Sequence, residues 1–124
     1  MNFADIAEVA GAGAVGAMTR FLLDGAVRKR WSGPLPAGTM FINLSGSLLL
    51  GLLTGLVLYH GAPARLTLVA GTGFCGGYTT FSTASFETVR LMQSGRGRTA
   101  ATSLAVTVAG TLLAAAAGLG LAAL

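Results

Sequence analysis

The stretch that decides the fold is Gly71-Thr72-Gly73-Phe74-Cys75-Gly76-Gly77-Tyr78-Thr79-Thr80. It interrupts an uncharged segment, 66–86, that is otherwise long enough to cross a bilayer. Each glycine lowers helix propensity by about 1 kcal/mol relative to alanine, and β-branched threonines lower it further, so the run predicts a helix broken near the midplane. Unwound backbone at that depth is tolerated only where it is buried in protein or lines a polar cavity. Freed carbonyls there can bind a cation, while the half-helix that restarts near Thr79 offers amides and a positive dipole end to an anion. The competing reading is a glycine-rich packing site in a continuous helix.

Three further segments, 6–23, 37–59 and 99–124, are nearly free of charge. The chain has 124 residues, of which 53% are hydrophobic and 10% charged, with a mean hydropathy of +0.74. A soluble domain carries about 25% charged residues, so a soluble enzyme is not expected. The reading is an all-α integral membrane protein: one domain, 1–124, with four transmembrane helices. Short connections at 24–36, 60–65 and 93–98 make consecutive helices antiparallel.

The net charge of +4 would suggest nucleic acid in a soluble protein, but the basic residues sit at helix ends, where they set orientation. No nucleic-acid partner is expected. Cys75 is the only cysteine, which rules out an internal disulfide and a cysteine metal site. Asp5 and Glu8 stand where a cleavable signal peptide would be basic, so none is expected. Gly11-Ala12-Gly13-Ala14-Val15-Gly16 fits the G-x-G-x-x-G pattern, but the dinucleotide fold also needs a βαβ unit and a later acidic residue. Here a basic run occupies that region.

Small residues recur on every span, among them Gly13, Gly16, Gly46, Gly51, Gly55, Gly110 and Gly118. Because lipid gives no hydrophobic drive to helix association, such faces predict close packing between helices and between subunits. Polar residues fall at i, i+4, i+8 in three spans: Thr39, Asn43 and Ser47; Thr79, Thr83 and Glu87; Ser103, Thr107 and Thr111. Each set lies on one helical face, and together they predict a polar track. Hydroxyls and an Asn amide donate to a dehydrated anion, and almost no carboxylate is present to attract cations. Phe81 follows the break, where the positive edge of its ring can face an anion. Arg20 and Glu87 lie close to the membrane near helix ends. Arg20 is expected to cap carbonyls or to pair with Glu87 or Asp24, and Glu87 to line a vestibule or form a salt bridge. His60 is expected to be a solvated loop residue.

These residues resemble the CrcB/Fluc family of fluoride channels over nearly the whole chain. The matching segments are Gly13-Ala14-Val15-Gly16-Ala17-Met18-Thr19-Arg20, Gly38-Thr39-Met40-Phe41-Ile42-Asn43-Leu44-Ser45-Gly46-Ser47, and Gly73-Phe74-Cys75-Gly76-Gly77-Tyr78-Thr79-Thr80-Phe81-Ser82-Thr83 with Glu87. The resemblance implies passive fluoride conduction out of the cell through a dimer of two antiparallel subunits in the cell membrane. It also implies a structural sodium ion at the dimer centre, held by the carbonyls of Gly76 and Thr79. Asn43, Phe81, Ser82, Thr83 and Thr111 match its fluoride path, to which the helix 2 stripe adds Thr39. The family pattern continues T-T-F-S-T-F, but here Ala84 replaces the second phenylalanine.

Two other functions compete. A small multidrug transporter needs a carboxylate deep in the first span, and Glu8 lies too near its end. A non-conducting or half-pore partner subunit is kept open by Ala84. An intramembrane enzyme is not expected, since the spans hold no nucleophile, base or metal-ligand set. Six of the eight Lys and Arg residues cluster beside the first and third connections, with Arg65 alone on the opposite side. The positive-inside rule therefore places both termini outside. A chain that inserts both ways should be balanced, so the bias suggests one fixed orientation beside a homologous subunit of opposite bias.

Overall fold

A computed structural model describes all residues, Met1–Leu124, and is entirely helical. α1 spans Phe3–Arg30, α2 Ala37–His60 and α6 Gly97–Ala122; each is long and apolar enough to cross a membrane. The third long helical stretch in chain order is bent and divided. Its first arm joins α3 (Ala64–Leu66), a wide π-helical segment (Thr67–Cys75) and α4 (Gly76–Tyr78), and its second arm is α5 (Phe81–Gln93).

α1 begins on a capping box in which Asn2 and Asp5 satisfy each other's amides. It ends on Arg28, Lys29 and Arg30, which favour the negative end of the helix dipole. The first connection is therefore shorter than 24–36: helix continues through Arg30, and Arg28 bonds back to Asp24 at 2.7 Å. α2 closes on Gly61 at φ 65°, a left-handed cap open to glycine at little cost. His60 is not a loop residue. It ends α2, and its Nε2 lies 2.6 Å from the Ala122 carbonyl, joining two helix ends.

α2 packs along α6, and α1 along the first arm of the third span. Both seams rest on glycine. A Cβ on Gly16 would meet the Phe74 carbonyl, one on Gly77 the Gly13 carbonyl and one on Gly51 the Ala115 carbonyl. Such approaches gain van der Waals contact where the hydrophobic effect supplies none. Only 18 of 124 residues are buried, and Phe21, Leu22, Leu112 and Leu113 point outward. That inverted distribution suits lipid as the surrounding solvent. At the end carrying the N-terminus, Arg65 pairs with Glu8 and, at 3.8 Å, with Asp5. Hydrogen bonding to Glu8 pushes the Arg65 guanidinium above its ordinary value.

Candidate functional site

The break lies later than the glycines suggest. Gly71 and Gly73 stay helical in widened turns, buried against Leu50 and against Ala12 and Val9. The backbone becomes extended only at Thr79 (φ −77°, ψ 160°) and Thr80 (φ −147°, ψ 122°). Side chains from two other helices replace the missing helical bonds. Asn43 on α2 donates from Nδ2 to the Thr80 carbonyl at 2.9 Å and accepts the Thr80 amide on Oδ1 at 2.8 Å. Arg20 on α1 donates to the Thr79 carbonyl at 3.3 Å, the capping role expected of it; it makes no ion pair with Glu87 or Asp24. Thr80 then starts α5, its Oγ1 accepting the Thr83 amide at 3.2 Å. Tyr78 anchors the preceding turn through a 2.8 Å bond to Ser45.

In a continued helix the Thr80 amide would close on the Gly76 carbonyl. With that amide held by Asn43, the Gly76 carbonyl loses its usual donor, and the exposed Gly76 has no Cβ to cover it. The Thr79 carbonyl keeps a second lone pair beside Arg20. No cluster of His, Cys, Asp or Glu is placed to hold a metal. A cation site at the break would therefore be built from backbone oxygens, the donor type that hard cations take.

The break opens on a groove of about 580 Å³ between α2, α5 and α6. Asn43, Ser47, Thr79, Phe81, Thr107 and Thr111 line it, so members of all three polar stripes converge there. The convergence is partial. Thr39 and Ser103 are buried outside the groove, Ser82 and Thr83 lie on the first turn of α5 outside its lining, and Glu87 faces a different cavity. Glu87 pairs with Arg28 at 3.3 Å, the salt bridge among its two expected roles.

Thr80, Ser85 and Thr88 line the groove although they belong to none of the stripes. Ala84, Ser85 and Thr88 follow Phe81 at i+3, i+4 and i+7, so the face of Phe81 is the sequence signal that finds the last two. Thr88 and Thr111 donate to carbonyls of their own helices, Thr111 to that of Thr107, whereas the Ser47 and Thr107 hydroxyls make no hydrogen bond. Asn43, which lines the groove, uses only one of its two amide N–H groups in a hydrogen bond. Phe81 is 87% exposed at the mouth.

Residues 7–119 match the family profile described as CrcB-like protein, Camphor Resistance (CrcB). The chain belongs to the CrcB family. Within it, the chain is 52% identical over 95 residues to the fluoride-specific ion channel FluC 1 of Leifsonia xyli subsp. xyli, covering 77% of this chain and 69% of that one. It is 50% identical over 105 residues to the fluoride-specific ion channel FluC 2 of Cutibacterium acnes, covering 83% and 85%. A third relative, the fluoride-specific ion channel FluC of Pseudomonas putida, is 44% identical over 117 residues and 94% of both chains. These CrcB relatives are named as channels rather than enzymes, in agreement with the long apolar helices of a multi-pass membrane protein.

Proposed function

We propose that this chain is a fluoride-specific channel subunit that lets fluoride leave the cytoplasm passively and so lowers its toxicity. The observation that carries the reading is Asn43 clamping the break while lining a groove, with one amide N–H and the Ser47 and Thr107 hydroxyls making no hydrogen bond. Fluoride gives up a costly hydration shell, and preset donors replace it. Asn43, Phe81, Thr111, Ser82 and Thr83 are the proposed path residues, whereas Thr39, buried outside the groove, is left off the path. Phe81 offers its ring edge at the mouth, and Ser82 and Thr83 continue the hydroxyls along the first turn of α5. The whole chain acts as one transmembrane domain in the cell membrane.

The groove is open on one side, and the exposed Phe81 ring favours a second subunit over it. The proposed assembly is an antiparallel dimer with a structural sodium ion at its centre. The carbonyls of Gly76 and Thr79, repeated by the partner, would hold the ion, which would satisfy the Gly76 oxygen left without a donor and take the second lone pair of the Thr79 oxygen beside Arg20. Anomalous scattering from a heavier monovalent cation should appear at the break in crystals of the dimer. A fully hydrogen-bonded backbone there, with no such peak, would refute the ion.

A half-pore role in a heterodimer is favoured by a specific pair of observations. Ala84 faces the groove one turn after Phe81, leaving a methyl where the family pattern has a second ring. The charges are also one-sided: Lys29, Arg30, Arg90, Arg96 and Arg98 carry no ion pair, while Arg65 at the other end is held by Asp5 and Glu8. Fluoride efflux from liposomes, measured for the protein alone and with a homologue of opposite bias, tests both readings. Efflux is expected in the mixed liposomes, and reporters fused to the C-terminus should sit outside the cell. No efflux in either preparation would sink the channel reading. Full efflux from the single protein, with both orientations equally populated, would overturn the heterodimer alone.

A further inference from the structure

A second cavity, of about 570 Å³, lies where four helix termini meet: the end of α1, the start of α2, the end of α5 and Arg96 ahead of α6. Its size is that of a small-ligand site. Trp31 lines it, its indole N–H fixed on the Leu35 carbonyl at 3.0 Å, and Leu91 and Val27 supply apolar wall. Indole rings collect at the headgroup level of a bilayer, which sets the depth of this cavity at the ends of the spans.

The charges in the lining are of both signs. Arg28 is engaged by Asp24 and by Oε1 of Glu87, but Arg90 and Arg96 make no ion pair. The second Glu87 oxygen, Oε2, is buried and has no hydrogen-bond partner. A buried carboxylate oxygen without a donor is costly, so it calls for one. An anion alone would satisfy the two arginines and repel Glu87. The complement of the whole set is a zwitterion with a donating ammonium next to a phosphate.

We infer that this cavity binds a phospholipid headgroup of the phosphoethanolamine type, its primary ammonium donating to Glu87 and its phosphate lying against Arg90 and Arg96. The acyl chains would run down the exposed apolar flank of α1, where Met18, Phe21 and Leu22 face outward. A choline headgroup has the same net charge but no N–H to give Glu87. A glycerol headgroup has the phosphate but no ammonium. Basic pockets between helix ends are known hosts for lipid headgroups, and the buried carboxylate is what would make this one select an amine.

Trp31 is the only tryptophan in the chain, so its fluorescence reports directly on the cavity. The purified protein in micelles should be titrated with short-chain phosphatidylethanolamine, phosphatidylcholine and phosphatidylglycerol. Saturable change in Trp31 emission is expected with phosphatidylethanolamine at a dissociation constant about tenfold below that for phosphatidylcholine, the value of one charge-assisted hydrogen bond. Glu87→Gln should erase that preference. Arg96→Gln, on an exposed loop where folding is not at risk, should weaken phosphatidylethanolamine and phosphatidylglycerol alike. Equal binding of the amine and choline lipids, tighter binding of phosphatidylglycerol, or an undiminished preference in Glu87→Gln would each overturn the inference. The measurement involves no fluoride, so its outcome is independent of the channel reading.

Discussion

Asn43→Asp should lower fluoride efflux from liposomes by at least about 100-fold, an effect of about 2.7 kcal/mol on the barrier. The side chain keeps its shape, loses its donors and gains a negative charge. Oδ1 would still accept the Thr80 amide, but the other oxygen would face the Thr80 carbonyl where an N–H now lies at 2.9 Å. Two acceptors in that position repel, and the lost bond is worth about 1–3 kcal/mol when buried. The second change is a negative charge beside the proposed path of an anion, in place of the Asn43 N–H that makes no hydrogen bond. Asn43→Ala separates the two effects, since it removes the clamp without adding the charge. It should impair efflux less than Asn43→Asp does. A monodisperse Asn43→Asp protein with near-normal efflux would remove Asn43 from the path and leave it a structural clamp.

The clamp also explains what could and could not be read from the sequence. Long uncharged segments mark the four long helical stretches, three of them continuous helices apolar enough to cross a membrane, because hydropathy is a property of each segment alone. The end of α1 was not legible in that way. Arg28, Lys29 and Arg30 look like a loop when charge is taken to mean the end of a span, yet helices leave the bilayer intact, and the bond from Arg28 to Asp24 holds this one together. The glycine run does mark the discontinuous helix, but its glycines keep helical backbone, with α1 fitted against Gly73 and Gly77 and Leu50 of α2 against Gly71. The backbone opens instead at two threonines whose bonds come from Arg20 and Asn43, residues 59 and 37 positions away. Such distant partners leave no local trace. The same holds for Glu87 and Ser103: a shared helical face gives each stripe its direction, while the tilt of neighbouring helices decides how much of it reaches the groove.

Two glycines on α6 make the packing argument testable within one helix. At Gly118 an added Cβ would meet the Leu48 carbonyl, and would lie 2.7 Å from the Leu52 amide nitrogen. Both are backbone atoms of α2, so no side chain can turn aside, and the two helices must separate to admit a methyl. Overpacking of this kind costs about 1–3 kcal/mol even where a core can adjust, and rigid backbone places Gly118→Ala at the upper end or beyond. Gly120, two residues on, has nothing within 4 Å. There the same substitution meets only open space, and alanine's better helix propensity should leave Gly120→Ala unchanged or more stable by up to about 1 kcal/mol. Thermal unfolding of the two variants in the same detergent should therefore shift in opposite directions, or in Gly118→Ala alone. Since α2 carries Asn43, separating it from α6 also widens the groove, and efflux should fall in Gly118→Ala while Gly120→Ala conducts normally. Equal stability and equal efflux in the two variants would mean that glycine in these spans serves something other than the close approach of α2 to α6.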